Sequence, residues 1–418
     1  MMSRYSSLVH EDRVHGSLYF DPTVFDDEME RIFHTGWVYV GHDSEVPTPG
    51  CFVSKPLGRQ AVIMTRAKDN QVHVLYDRCP HRGNKLLQAE KGKAQNLVCA
   101  YHAWSFNLDG SFNGMPDLAG CGPDFRKADA ALAAVPRVEN YRGFVFASMK
   151  EEGISLTEHL GNARASIDQL VDLSPVGRVD LSAGWMKHRI RGNWKNLLEN
   201  QVDGYHAPFV HGSLLAANND WASERDRRDD SPTTTRDLGM GHSDVNYGPG
   251  YQLKGTTLRW TGNIAESKAQ AYVTAMRSAY PAEIAQTRLI EGPPHAMIFP
   301  NLFIAEMNVM VLDPISADET IHWTTPVLLV EGHEINERTI RRCEGALGPA
   351  GFLIADDAEL SELNQAGMKN RKPEWLLLGR GLHDEVRDPD GTRTGGLMDE
   401  TSQRAFWRHY AKLMETTA

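Results

Sequence analysis

Apolar residues near the start of the chain recur at helical spacing, at Phe25, Met29, Ile32 and Phe33. The rhythm then changes. From about Val38 to Lys150, short runs rich in β-branched and aromatic residues alternate with Gly, Pro, Asn and Asp, at 61–65, 72–76, 97–99 and 143–147. That texture predicts a small antiparallel β domain. Beyond residue 151 the pattern is mixed. Helices are expected over 156–173, 196–211 and 337–347, and strands over 295–312 and 320–331. The charged stretch 223–237, with Pro232 and a threonine run, reads as a loop. Phe406, Trp407, Tyr410, Leu413 and Met414 make one apolar helix face, most simply packing. Strands mixed with helices at irregular spacing predict an α+β protein. The expected division is a helical segment over 1–38 packing on the larger domain, a small antiparallel β domain over 39–150, and a larger domain over 151–418 with an antiparallel sheet flanked by helices.

A chain of 418 residues is too long for one core, which agrees with two domains. Its net charge of −11 and the absence of any Lys/Arg block argue against nucleic-acid binding. The most apolar stretch, 296–312, contains Pro300, Asn301, Glu306 and Asn308 and is too polar and too short to span a bilayer. The first dozen residues carry no apolar leader, so a cytoplasmic protein is expected. Five cysteines, Cys51, Cys79, Cys99, Cys121 and Cys343, are too few and too odd for a disulfide framework and leave room for metal ligation.

Two constellations carry chemistry. The first is Cys79-Pro80-His81-Arg82-Gly83 followed by Cys99-Ala100-Tyr101-His102. Each short loop offers one thiolate and one imidazole. A [2Fe–2S] cluster with both Cys on one iron and both His on the other needs each loop to reach both irons, and this spacing does that. Two neutral imidazoles in place of thiolates raise the potential to about −150 to +300 mV, against about −400 mV for a four-Cys plant-type cluster. Zinc accepts Cys₂His₂ as well, but its usual motifs pair like with like, Cys with Cys and His with His.

The second is Asp203, His206 and His211. On a helix Asp203 and His206 share a face, and Pro208 is positioned to bend the chain and reorient His211. Two imidazoles and one carboxylate on one face of an iron leave the other faces open for O₂ and substrate. The carboxylate must come from elsewhere, and the pair Asp356-Asp357 after an apolar run offers it. Asp357 is the first choice and Asp356 the alternative; a solvated helix start would also explain the pair.

The two loops, continued by Trp104 and Gly110, resemble the Rieske signature, with Ala103 where glycine is frequent. Together with the Asp-x-x-His-x₄-His run, Phe299-Pro300-Asn301 and the 348–357 segment, the chain from about residue 20 resembles the large (alpha) subunit of Rieske non-haem-iron aromatic-ring-hydroxylating oxygenases. The resemblance implies Cys79, His81, Cys99 and His102 as ligands of one [2Fe–2S] cluster. It implies His206, His211 and Asp357 as ligands of one mononuclear Fe(II), and Asp203 as the carboxylate linking His206 to His102 of the partner subunit. Asn200 carries a role only weakly, because the loop is a residue shorter than in the naphthalene type. The implied reaction takes electrons from NADH through a separate reductase, with or without a ferredoxin, and uses O₂ to cis-dihydroxylate an aromatic ring. Monooxygenation by the same iron, as a hydroxylase or demethylase, is the alternative. A homotrimer of alpha subunits, with a small beta subunit, is implied. Gln201, Phe209, Phe299, Leu302, Leu353 and Ile354 are candidate pocket residues, and Gln201 hints at a polar substrate. A pure electron-transfer protein would use only the first constellation, and a zinc-stabilised binding module would use neither iron.

Overall fold

Asp21 opens the first helix, Pro22–Glu28, by accepting the Thr23 N–H at 2.8 Å, and Pro22 sits in the first turn where its missing N–H costs nothing. A wider turn over Met29–Phe33 follows. The computed structural model describes residues 5–212, 232–370 and 372–415. They form two compact units, Phe33–Gly153 and Met1–Ile32 with Ile154–Ala418. Among the described residues no helix is long and apolar enough to cross a membrane.

The smaller unit is built from three antiparallel sheets. One holds Val72–Tyr76, Gln60–Arg66, Cys51–Leu57 and Lys91–Lys93 in that order; a second holds Phe112–Gly114, Ser105–Phe106 and Leu97–Val98; a third holds Arg137–Tyr141, Phe144–Ser148 and Val38–His42. Cys79 and Cys99 lie in its core beside Ile63, Leu75, Leu97 and Phe106.

The larger unit carries one nine-stranded antiparallel sheet. The expected 295–312 strand is three: Ala296–Ile298, Leu302–Ala305 and Asn308–Ser316. Glu306 and Met307 both adopt left-handed backbone, φ 55° and 64°, and close a two-residue hairpin whose twist suits the strands. The 320–331 strand stops at Pro326, within Glu319–Pro326, and Leu328–Leu329 pairs instead with Val179–Asp180. The loop expected over 223–237 is corrected in part. Residues 223–231 lie outside the described residues, but Thr234–Gly239 is a strand, since its threonines suit a pleated surface and Thr235 and Asp237 turn inward. The 156–173 helix is Leu156–Leu160 and Arg164–Val171, split at Gly161, and the 337–347 helix begins earlier, as His333–Arg342.

Helix Thr401–Glu415 buries Phe406, Trp407, Tyr410 and Met414 and packs on Thr234–Gly239 and His242–Asn246. Helix Trp194–Gln201 packs on Asn308–Ser316 and on helix Ile354–Met368. It is held by a buried polar network. Lys195 Nζ lies 2.6 Å from Glu28 Oε1, with both side chains wholly buried, and Trp194 Nε1 and Tyr410 Oη donate to the same carboxylate at 2.8 and 2.7 Å. Burial pushes the Lys195 pKa down against the opposing pull of Glu28. One turn on, Glu199 accepts from Tyr19 Oη at 2.7 Å and Trp407 Nε1 at 2.5 Å. Burial raises the Glu199 pKa to about 7.

Removing one partner of a buried pair strands the other charge. Lys195→Met is therefore expected to lower the free energy of unfolding by roughly 3–5 kcal/mol in denaturant titrations, and adding Glu28→Gln to recover part of that loss. Glu199 gives a pH signature. Its folded pKa lies above its ordinary 4.5, so the native state binds the proton more tightly. That contribution is complete below the unfolded value and is lost as pH rises through about 7. Stability of the wild type relative to Glu199→Gln should fall across this window; a flat difference would refute the assignment.

Candidate metal centres

In the smaller unit the two Cys/His loops share one local shape. The Cys79 N–H donates to Asn84 O at 2.9 Å and the Gly83 N–H to Cys79 O at 2.9 Å; the Cys99 N–H donates to Trp104 O at 2.8 Å and the Ala103 N–H to Cys99 O at 3.0 Å. Gly83 and Ala103 occupy the same turn position, and both are left-handed, φ 72° and 57°. That conformation favours glycine by about 1 kcal/mol or more, so Ala103 is held there by its loop. Asp77 fixes the first loop by accepting the Leu86 and Leu87 N–H groups at 2.7 and 3.1 Å.

Both thiols are buried, whereas His102 is exposed and His81 half-buried. The two imidazoles meet edge-to-face at 4.6 Å between ring centres, and His81 stacks on Trp104 at 4.7 Å. Burial disfavours the Cys99 thiolate, but the Tyr101 N–H, the Cys79 thiol, the His102 N–H and the Asn84 amide outweigh it and lower its pKa; at Cys79 burial dominates and the pKa is raised. A single zinc with ligands at about 2.0–2.3 Å draws its donors to within about 4 Å of one another. Among the described residues only His206, His211 and Asp357 bring three such atoms within 4.8 Å. The Cys79, His81, Cys99 and His102 set is spread too widely for one ion and fits a two-iron cluster, with thiols inside and imidazoles outside. His81 Nδ1 is buried with no hydrogen-bond partner among the described residues, as a metal-ligating nitrogen would be.

In the larger unit the helix expected over 196–211 is broken, and not where Pro208 suggested. Asn193 caps Trp194–Gln201 by accepting the Lys195 N–H at 3.0 Å, and the helix ends at Val202. Asp203 Oδ1 accepts the Tyr205 N–H at 2.6 Å and, with Gly204, turns the chain. Pro208 then sits in the first turn of the short helix Ala207–Val210, where its missing N–H costs nothing. Asp203 and His206 are thus joined by a turn rather than a helix face.

This turn places His206 Nδ1 3.6 Å from Asp203 Oδ2 and His206 Nε2 3.5 Å from Asp357 Oδ1. His211 Nε2 also lies 3.5 Å from Asp357 Oδ1, and its Nδ1 lies 3.6 Å from Asp356 Oδ2. Both Asp residues sit in the first turn of Ile354–Met368; Asp357 is buried and Asp356 is not. Asn200 Nδ2 donates to Asp357 Oδ1 at 3.2 Å. The separations between the three donor atoms are too long for hydrogen bonds. They suit one ion, since ligands about 2.1 Å from it and at right angles stand about 3 Å apart. Burial alone would lower the His206 pKa, but the Asp203 and Asp357 carboxylates outweigh it and raise it to about 9.

The three donors open on a cavity of about 610 Å³. Phe303, Ala305, Met310, Leu347, Leu353 and Ile354 form apolar wall, and Tyr247 and Tyr251, stacked at 5.8 Å, extend it. Asn200, Gln201, His295 and Arg259 are among its polar lining. Three candidates do not line it. Phe209 is 43% exposed and meets Tyr205; Phe299 packs on Phe406 and His409; Leu302 is buried in the sheet. Met310, Phe303 and Tyr247 escaped notice because strand register and chain folding bring them in, and no short motif marks them.

A Rieske [2Fe-2S] domain model matches residues 36–138, and the model of the ring hydroxylating alpha subunit (catalytic domain) matches 176–416. The chain is 30% identical over 403 residues to the 2-halobenzoate 1,2-dioxygenase large subunit of Burkholderia cepacia, covering 92% of this chain and 84% of that one. It is 27% identical to the large oxygenase component of the naphthalene 1,2-dioxygenase system of a Ralstonia species, covering 97% and 92%. Its structure is similar to naphthalene 1,2-dioxygenase with indole bound in the active site, at a TM-score of 0.83 and 25% identity over 98% of this chain and 94% of that one. The chain therefore belongs to the ring-hydroxylating alpha subunits, Rieske non-haem-iron dioxygenases that carry a [2Fe–2S] cluster and a mononuclear iron.

Proposed function

We propose that this chain is the terminal oxygenase component of a multicomponent system that places both atoms of O₂ on an aromatic ring, giving a cis-dihydrodiol at the expense of NADH. The observation that carries this reading is the convergence of His206 Nε2, His211 Nε2 and Asp357 Oδ1 at the wall of a largely apolar cavity. In this reading His206, His211 and Asp357 hold the mononuclear iron, and Cys79, His81, Cys99 and His102 hold the cluster. When bound, the iron supplies activation of O₂ and the cluster supplies electrons one at a time.

The chain's own residues prepare that chemistry. Asp203 and Asp356 face the Nδ1 atoms of His206 and His211, and with a cation held between the Nε2 atoms and Asp357 they would favour the tautomer that keeps the proton on Nδ1 and leaves the Nε2 lone pair to the ion. Asn200 restrains the Asp357 carboxylate through its amide. The apolar wall excludes water and leaves room for a flat ring. Asp203 also links His206 to His102 of the partner subunit, which requires a trimer of alpha subunits; a small beta subunit completes the assembly. Residues 39–150 act as the electron-entry domain, fed by a reductase with or without a ferredoxin in the cytoplasm. A separate reductase is supported by the relatives, one being the large component of a dioxygenase system.

Product labelling tests the reaction. With reconstituted electron donors and ¹⁸O₂, two labelled atoms are expected in the product; a single one would favour monooxygenation. Loaded protein should hold about three irons per chain, two in the cluster and one at the triad. Asp357→Ala should bring this to about two while the visible absorption of the cluster persists; unchanged iron content would remove Asp357 from the ligand set. Asp203→Asn should keep all the iron and lose O₂-coupled turnover, so full turnover in that variant would dismiss its linking role.

A further inference from the structure

Arg259 brings a positive charge to the cavity wall with no carboxylate to answer it. It lines the cavity and is half-buried, and among the described residues it forms no ion pair. Its guanidinium lies over the Tyr251 ring, 4.7 Å from Cζ to the ring centre. That contact orients the planar group and leaves N–H edges for a two-oxygen acceptor. Burial, with Glu306 nearby, pushes the Tyr251 pKa up to about 12 against the pull of Arg259, so the phenol stays neutral and does not supply the missing charge. Glu306, the acid on the same wall, is engaged elsewhere: it pairs with Arg342, whose Nη1 also donates to Trp260 O at 2.8 Å. The turn that carries Arg259 is pinned. The Leu258 N–H and Trp260 Nε1–H donate to Leu289 O at 2.8 and 3.1 Å, and Arg338 Nε donates to Thr261 O at 3.0 Å.

A row of rings relates this charge to the metal donors. His295 Nε2 donates to Gln201 O, beside Asn200, whose amide meets Asp357. Tyr247 stands edge-on to His295 at 5.4 Å, Tyr251 stacks on Tyr247 at 5.8 Å, and Arg259 follows. Partly burying a cation without its counter-charge is costly, and a wall built only for packing carries no guanidinium. We propose that Arg259, backed by Tyr251, is an anion-recognition site at the end of the cavity remote from the metal donors. The substrate class is an aromatic acid whose carboxylate is set apart, by a spacer or a second ring, from the ring to be oxygenated. The guanidinium takes the carboxylate through charge-assisted hydrogen bonds, and the reacting ring lies against the apolar wall. A neutral ester of the same shape leaves Arg259 unpaired, and sites built to hydrogen-bond a substrate group reject analogues lacking it. Arg259 touches the substrate but no reacting atom, so it sets specificity. This inference rests on the oxygenase reading above and extends it to substrate class.

The test compares benzoate, 3-phenylpropanoate and biphenyl-4-carboxylate, each with its own methyl ester. Holoenzyme with its electron donors gives kcat/KM for each, and calorimetry on the iron-loaded oxygenase gives binding without turnover. Wild type is expected to favour the two longer acids over their esters by about tenfold or more, the ratio that one hydrogen bond to a charged group supplies. Arg259→Met, with Arg259→Gln as a second uncharged variant should the first fail to fold, should bring that ratio close to one in both measurements. Arg259→Lys should keep part of it, since the charge remains and the planar fork is lost. The proposal is overturned if the esters bind as well as the acids, if benzoate shows the largest ratio, or if the ratio survives loss of the charge. Should no ring be oxygenated, the oxygenase reading fails by itself, and the calorimetric ratio still decides the role of Arg259.

Discussion

A charge pair without water fixes the helix on which the iron site depends. Lys195 and Glu28 are wholly buried, and each needs the other because neither can be solvated. Lys195 and Glu199, one turn apart, share the face turned toward Tyr19, Trp407 and Tyr410. Asn200 and Gln201 reach elsewhere, to Asp357 and His322. A slip of one residue along this helix would strand a charge and move both amides off their targets. Such a pair adds little net stability over well-packed apolar residues; its sharper effect is on register.

Charge governs the site itself. Three carboxylates, from Asp203, Asp356 and Asp357, surround two imidazoles at 3.5 to 3.6 Å. The same surplus of negative charge that holds the His206 pKa near 9 favours a divalent cation there. The cluster loops solve a different problem. Their thiols sit in an apolar core while His81 is half-buried and His102 exposed, so in the proposed reading electrons would pass at the imidazole edge and the sulfurs would stay out of water.

Much of this was legible in the sequence because ligands crowd into short runs. Cys79 to His81, Cys99 to His102 and Asp203 to His211 each announce themselves within a few residues, and the acidic pair narrows the proposed third ligand to two residues, Asp356 and Asp357. The small β domain was legible from alternation alone. What failed depended on local shape or distant contact. Pro208 looked like the helix breaker, but the Asp203 side chain and Gly204 had already turned the chain. Glu306-Met307 gives no turn signal of the Asn-Gly kind, so one expected strand hid a hairpin. The threonines near 234 read as loop because, although one partner strand, His242–Asn246, is local, the other, Arg393–Gly396, and the helix Thr401–Glu415 that packs on them are more than 150 positions away. Gln201 stood out as a polar residue, but nothing local points to His322, 121 positions away.

Asp203 serves two masters with its two oxygens. Oδ1 shapes the turn through Tyr205, and Oδ2 faces His206. Asparagine could keep the turn but not the charge; glutamate could keep the charge but, one carbon longer, not the turn. The position is therefore closed to gradual drift: no single neighbouring side chain satisfies both demands, and an evolutionary path that altered this residue would have to rebuild the backbone and the imidazole's electrostatic partner in the same step.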